Sequence, residues 1–304
     1  MAVYDRYGIK QNGLYDAFGK PIKQCFDQKG NPVVFTDYIT EFVGIVSMSY
    51  TQGFDIYDGT LFWFRTPSSA GGRDLMNTVD LDALEIINAD IVIQAGHGNS
   101  ASFSDEFPED GDFPLIYISE DTTVYTQQGD AKVFVCKVAE DSGELVKTYK
   151  FPLATTGYYA CLCLDYENKI MYMLGYTIRA HNNPDSGNNR VIITKWDYTN
   201  CAQNEDETYT PAFISSNTVD FIETMQGQTF HDGLIWVTSS AYDSTAQKRL
   251  ESMIYAIDPE SYAVVKTIHT GEIKEIEGIS FISDNEAILG FQSGMIKRLT
   301  LYDN

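Results

Sequence analysis

The sequence predicts an all-β protein: a five-bladed β-propeller whose last blade is closed by an N-terminal strand, preceded by a short turn-rich arm. Three observations predict it. A strand–turn–strand motif recurs along the chain. Each copy is followed by one or two further alternating segments. The last copy is one strand short, while a spare strand stands ahead of the first.

The motif is plainest in one pair of segments. Gln52-Gly53, a short apolar run, Asp58-Gly59 and a second apolar run align with Gln226-Gly227, Asp232-Gly233 and their flanking runs. Asp-Gly favours a type I′ hairpin turn, because both central residues need φ > 0. Further copies run through residues 159–174, with a polar turn at Glu167-Asn168-Lys169, and residues 277–291, with a turn at Asp284-Asn285-Glu286. A fifth starts at His97, takes a long acidic insertion and resumes at residues 115–118. Third segments follow at residues 78–81, 133–138, 191–197, 253–258 and 295–301, and a fourth, such as residues 263–268, follows in most units. Four short strands over about 45–65 residues is a propeller blade period. The spare strand, residues 42–48, supplies the missing outer strand of the last blade and so removes an exposed edge. No segment combines helical periodicity with caps, and residues 80–88 are the one place for a short turn of other geometry.

Residues 1–35 fall outside the blades and residues 36–304 form the propeller. The arm carries its own repeat of 11 residues, with an aromatic, an Asp-initiated turn and a glycine at Tyr4-Asp5-x-x-Gly8, Tyr15-Asp16-x-x-Gly19 and Phe26-Asp27-x-x-Gly30. The second and third copies add an extended X-Pro step at Pro21 and Pro32. A run of short turns this long cannot bury a core of its own, which favours an attachment arm over a self-contained unit.

Charge narrows the function. The chain of 304 residues has 21 Lys+Arg against 43 Asp+Glu, a formal charge of −22 and a pI near 4.4. Binding to a phosphate backbone needs cations to displace counterions, so nucleic acid is not an expected partner. An anionic membrane surface is disfavoured for the same reason. No apolar run reaches the length of a membrane span, and the N-terminus has neither the basic nor the apolar region of a secretory signal. The five cysteines, Cys25, Cys136, Cys161, Cys163 and Cys201, are odd in number and scattered, and read as free thiols rather than a disulfide framework.

First strands of a propeller line its channel, and the loops at one mouth form the usual binding surface. The equivalent first-strand positions hold Gln52, His97 or Asn99, Tyr159, Gln226 and Glu277, a polar and mostly neutral ring. Tyr57 and His231, with Phe103 and Tyr158, lie nearby in sequence and offer stacking faces. The ring reads as a water-filled channel or as the seat of a small polar or glycan ligand. The sequence leaves open which mouth each residue occupies.

Catalysis has less support. Glycoside cleavage needs an acid and a carboxylate flanking the scissile bond, and Glu277 is the one acid in the ring. Asp55 and Asp165 are near it, but Asp55 is matched by Thr229 in the repeat, and Asp165 sits at a turn. There is no Gly-x-Ser-x-Gly elbow. Neither the four histidines nor the cysteines have metal-ligand spacing. No cofactor is expected; the acidic run over residues 105–112 is the one stretch with the oxygen-rich character calcium favours, and its ordinary reading is a solvated loop.

The blade pattern resembles propeller modules of bacteriophage and prophage structural proteins. The resemblance is carried by Gln52-Gly53 with Asp58-Gly59, by residues 96–103 with residues 114–119, and by Gln226-Gly227 with Asp232-Gly233. The pattern around Tyr15 and Pro21 is similar to virion attachment segments of tail or head fibres. The resemblance implies a non-enzymatic virion protein assembled in a host cytoplasm. Residues 1–35 would join it to other virion proteins, through Tyr4, Tyr15, Pro21, Phe26 and Pro32, and the propeller would face host-surface glycan or another protein. The alternatives are a glycoside hydrolase or lyase, and a pure capsid or tail scaffold.

Overall fold

The computed structural model describes residues 38–65, 74–94, 96, 98–120, 130–178, 190–220, 222–240 and 248–302, together with the backbone alone of residues 3–4, 10–11, 25–26, 32–33 and 242–243. In the arm, β1 (Val3–Tyr4) pairs with β2 (Lys10–Gln11), and β3 (Cys25–Phe26) pairs with β4 (Pro32–Val33). Each pair flanks one of the Asp-x-x-Gly sequences of the 11-residue repeat.

The rest is all-β and propeller-like. β5 (Tyr38–Ile45) precedes the first four-stranded sheet, β6 (Thr51–Tyr57), β7 (Thr60–Arg65), β8 (Asp74–Asp80) and β9 (Glu85–Ile93). Next come β10 (Ala101–Phe103), β11 (Ile116–Glu120), β12 (Ala131–Val138) and β13 (Gly143–Phe151). After the single turn α1 (Leu153–Thr156) follow β14 (Tyr158–Asp165), β15 (Ile170–Tyr176), β16 (Val191–Gln203) and β17 (Tyr209–Val219). These eight strands form one sheet of order β10-β11-β12-β13-β17-β16-β15-β14, in which two antiparallel halves meet through the single parallel pair Tyr149–Tyr209. A further four-stranded sheet holds β18 (Met225–His231), β19 (Leu234–Ser239), β22 (Met253–Asp258) and β23 (Ala263–His269), with the small hairpin β20 (Tyr242–Asp243) and β21 (Lys248–Arg249) inserted. The last holds β24 (Ile276–Ser283), β25 (Glu286–Phe291), β26 (Met295–Leu301) and β5.

The spare strand does close the last sheet: β5 runs antiparallel to β26, with Tyr38 opposite Leu301 and Ile45 opposite Met295. It lies a few residues earlier than the apolar run 42–48 suggested, because Val46 and Met48 leave the ladder and enter the core between the last and first sheets. The Asp-Gly turns form as read, with φ of 46° and 76° at Asp58 and Gly59 and of 49° and 73° at Asp232 and Gly233. The turn α1 was not legible, since it has neither a side-chain cap nor charged residues in its end turns.

The core is divided, and the division is cyclic. Each of five apolar clusters lies between two consecutive units: Phe62 and Met76 against Ile116 and Phe134, Tyr117 and Phe151 against Met173 and Trp196, and so on to Trp63 against Ile288 and Ile296. The first strands touch in the same order, β6 with β10, β10 with β14, β14 with β18, β18 with β24 and β24 with β6. Polar bonds stitch each junction. Gly53 N donates to Gly98 O at 2.9 Å, Leu162 N to Ser100 Oγ at 2.8 Å, Met225 N to the Tyr176 hydroxyl at 2.7 Å, and Ile276 N to Ser240 Oγ at 3.0 Å.

The Gln-Gly repeat has a packing cause. A Cβ on Gly53 would stand 2.5 Å from the Asn99 carbonyl oxygen, and one on Gly227 would stand 2.5 Å from Gly278 Cα. First strands therefore approach backbone to backbone, a distance that only glycine allows.

Candidate functional site

The turns that end the first strands define one mouth of the ring. There, β6, β10, β14, β18 and β24 all deliver their C-terminal halves to a single cavity of about 390 Å³. Its polar floor is Asp55, Ser102, Thr229 and Ser280, and its walls are Tyr57, Phe103, Phe107, Tyr166, Phe230, His231 and Phe281. Tyr57 meets Phe103 at 5.6 Å and Phe107 at 6.0 Å between ring centroids. His231 stacks flat on Phe281, 3.9 Å away and 9° from parallel, while its Nε2 lies 3.0 Å from the Asp284 carbonyl oxygen. Phe107 and Tyr166 stand about half exposed at the rim, at 53% and 46%. Rings held on strands, with two more in the adjoining loops exposed at the rim, suit a ligand that has both apolar and polar faces.

Asp55 is the hub of the floor. Its Oδ1 accepts the Ser280 hydroxyl at 2.5 Å and Ile56 N at 2.9 Å, and its Oδ2 accepts Phe103 N at 2.7 Å. One carboxylate thus ties β6, β10 and β24 together at the cavity. Burial pushes its pKa from 3.8 up to about 6, against the lowering effect of those three donors. A carboxylate has about four lone-pair positions, so one acceptor direction is left for a ligand donor. The second carboxylate on this lining, Asp105, is ion-paired with Lys169.

Asp105 comes from the acidic insertion, which folds back on itself through Ser104 N to Leu115 O at 2.9 Å and Leu115 N to Glu106 O at 2.8 Å. Its Asp110 faces Lys137 at 3.7 Å. Two carboxylates of the insertion thus face lysines. Among the described residues, no three of His, Cys, Asp and Glu gather as metal ligands.

The polar ring read from sequence and the stacking residues expected beside it fall at two ends of the first strands. Tyr57 and His231 reach the aromatic cavity, with Phe103. Gln52, Tyr159, Gln226 and Glu277 lie at the other end of their strands, roughly 15 Å away at about 3.3 Å per residue. All four sit at interruptions of the β-ladder: the register shifts across residues 52–53, 159–160, 226–227 and 277. These are β-bulges, which bend a strand and re-aim its side chains. Asn99 stands just ahead of β10, buried, with its carbonyl against Gly53. Gln226 Nε2 donates to Glu275 Oε1 at 2.7 Å, and Arg249 holds the other oxygen of Glu275 at 2.6 Å. Glu277 is buried, and burial first, then the charge of Glu275, raises its pKa well above the usual carboxylate range. His97, Tyr15 and Pro21 lie outside the described residues; Tyr4, Phe26 and Pro32 belong to strands described by backbone alone.

The ring reading omits Ser280 and sets Asp55 aside because Thr229 matches it in the repeat. The signal was present: Asp55, Thr229 and Ser280 are the fourth residues of three aligned first-strand segments and differ in chemistry. Of the cysteines, Cys136, Cys161 and Cys163 are buried free thiols and Cys201 is a half-buried one.

Neither a family model nor a curated protein matches the chain. Among solved structures, it is similar to Kuenenia stuttgartiensis hydrazine synthase at 9% identity and TM-score 0.43, over 79% of this chain and 61% of that one. It is similar to the Dos1 propeller at 13% identity and TM-score 0.39, over 90% of this chain and 61% of that one. It is also similar to a putative oxidoreductase (glucose dehydrogenase) of Thermus thermophilus, at 10% identity and TM-score 0.46, over 86% of this chain and 99% of that one. The chain thus spans about three fifths of the length of the first two.

Proposed function

We propose that the chain is a five-bladed propeller that binds carbohydrate without transforming it, at the aromatic mouth built around Asp55. The two antiparallel halves of the eight-stranded sheet count as two blades in this reading, since one parallel pair alone joins them. The observation that carries the proposal is the convergence of all five first strands on one cavity with aromatic walls and a hydrogen-bonded acid, Asp55, on its floor. Sugar rings present apolar faces to aromatics and hydroxyls to acceptors. Residues 1–35 would serve as the arm that anchors the protein in a virion, a role that rests on their 11-residue repeat.

Two measurements test this. Calorimetry with neutral sugars should return binding that Phe281→Ala and Asp55→Asn weaken, about tenfold each; no binding at millimolar sugar refutes the ligand class. A chain starting at residue 36 should fold but fail to enter particles, and normal incorporation refutes the arm.

A hydrolase or lyase reading draws on one observation. An acid titrating near 6 is poised for proton transfer at neutral pH. It predicts product release that Asp55→Asn abolishes while sugar affinity persists. The Glu277 variant of that reading would pair it with Glu275, already bound by Gln226 and Arg249.

A further inference from the structure

We infer that the ligand of this mouth is a linear oligosaccharide, neutral or amine-bearing, that lies across three abutting cavities rather than a single sugar seated in one. The inference rests on the carbohydrate reading above.

The central cavity does not end at its own rim. Tyr166, Phe230 and His231 also line a second cavity of about 860 Å³, which continues over the turns at Asp232 and Asp284. Asp105 is likewise shared with a third cavity of about 440 Å³ between β11, β13 and β16, and the turn after β14 borders both side cavities, with Asn168 on the second and Lys169 on the third. Each is large enough for a small ligand by itself. Joined, they form a path that one monosaccharide would leave mostly empty. The Asp105–Lys169 ion pair stands between the centre and the third cavity, and both residues line the latter.

The third cavity also has a group that lacks a partner. Tyr198 is 4% exposed and lines it, and its buried hydroxyl has no hydrogen-bond partner among the described residues. Burying a hydroxyl unsatisfied costs free energy, so such a group is expected where something polar binds. Beside it, Lys147 lies over the rings of Tyr149 and Tyr209 at 4.5 and 4.4 Å and donates to the Tyr149 hydroxyl at 3.0 Å. That fixes the Lys147 ammonium in the lining of the cavity.

The charge of the second cavity sets the ligand class. Asp165, Glu167, Asp232 and Asp284 line it, with no lysine or arginine among the described residues of its lining. Uronic and sialic acid chains would be repelled there, whereas hydroxyl- and amine-bearing sugars meet acceptors.

The test is calorimetry of the full chain with four ladders, the malto-, cello-, manno- and chito-oligosaccharides of one to six units, alongside Tyr198→Phe and Asp232→Ala. Tyr198→Phe keeps the buried ring, and a melt unchanged from wild type verifies its fold. The expected result is affinity rising about tenfold or more from dimer to tetramer in at least one ladder. Tyr198→Phe should remove about three- to tenfold from the tetramer and nothing from the monomer, as expected for one hydrogen bond. Equal affinity for monomer and hexamer, or a Tyr198→Phe loss that is the same at every length, overturns the extended ligand and leaves the binding site standing. Failure of every ladder at millimolar concentration overturns the carbohydrate reading itself, and this inference with it.

Discussion

Replacing Asp55 by Asn separates what its carboxylate does for a ligand from what it costs the fold. The folded protein holds this proton with a pKa of about 6 against 3.8 in a free carboxyl, chiefly because the group is buried. At about 1.4 kcal/mol per pH unit, that rise corresponds to about 3 kcal/mol. The sign follows from proton linkage. The folded state binds the proton more tightly than the unfolded chain, so this contribution is complete below pH 3.8 and is lost as the pH rises through about 6. Wild type should therefore lose about 3 kcal/mol from this group between pH 4 and pH 7. The amide does not titrate. Its Nδ2 cannot accept from Phe103 N as Oδ2 does, so the variant should be the less stable at pH 4, by about 1–3 kcal/mol for the donor left unpaired. Between pH 4 and pH 7 the difference should move by about 3 kcal/mol in the variant's favour. Urea unfolding followed by tryptophan fluorescence reads the difference, since Trp63, Trp196 and Trp236 are all buried. Taking the difference cancels the general relief of charge repulsion on acidification and the titration of Glu277, which both proteins share. A difference that stays flat from pH 4 to pH 7 would refute the account of Asp55. The same variant should bind sugar less well, because the amide gives up acceptor positions of the carboxylate.

Three other outcomes follow from the packing. Gly53→Ala should destabilise by about 1–3 kcal/mol or more, because its Cβ meets backbone of Gly98 and Asn99 that cannot yield; Gly59→Ala, with φ of 76° but open space around it, should cost about 1–2 kcal/mol from conformation alone. Denaturant titration of the pair separates contact from conformation. A chain starting at residue 46 lacks β5 and leaves the edge of β26 unpaired, so sedimentation should find it associated or aggregated, whereas a chain starting at residue 36 keeps β5. Glu277→Gln should raise the urea midpoint at pH 8, with the advantage over wild type shrinking on acidification, since burial raises the pKa of this acid.

Much of the fold was legible because packing repeats. A first strand must approach its neighbour at a glycine, and Gly53, Gly227 and Gly278 recur at one position of the motif. A hairpin must turn, and Asp-Gly recurs where it does. The tryptophans do not follow the repeat: Trp236 aligns with Phe62 and Trp63 with Val237, and their Nε1 donors go to opposite ends of the first strand, Gln52 O at 2.8 Å and His231 O at 3.2 Å. Strand ends were less legible, because Val46 and Met48 look like strand residues while serving as core plugs. The bulges were not legible at all. The roughly 15 Å between Gln52 or Gln226 and Tyr57 or His231 is only five residues of strand and was there to be read, whereas the departure of residues 52, 159, 226 and 277 from the ladder was not.

The candidate site escaped the repeat for a reason that follows from symmetry. Equivalent positions converge on a common axis, so a mouth built from identical residues would present the same chemistry in every direction around it. One ligand lying across such a mouth has no such symmetry, and it is best met by groups that differ from unit to unit. At the fourth motif position the chain has an acid, Asp55, then Thr229 and Ser280, and the acid accepts the Ser280 hydroxyl across the junction between the last and first sheets. The insertion that supplies Asp105 and Phe107 occurs in one unit alone. Repetition in this sequence therefore marks what holds the ring together, and departure from repetition marks where the ring meets something else. On that argument, exchanging Asp55 and Thr229 should leave the overall content of side chains at the mouth unchanged, yet abolish sugar binding, because the acid would lose Ser280 and Phe103 as donors. Retained affinity in the exchanged protein, with wild-type far-ultraviolet circular dichroism, would show that the position of the acid around the axis is immaterial.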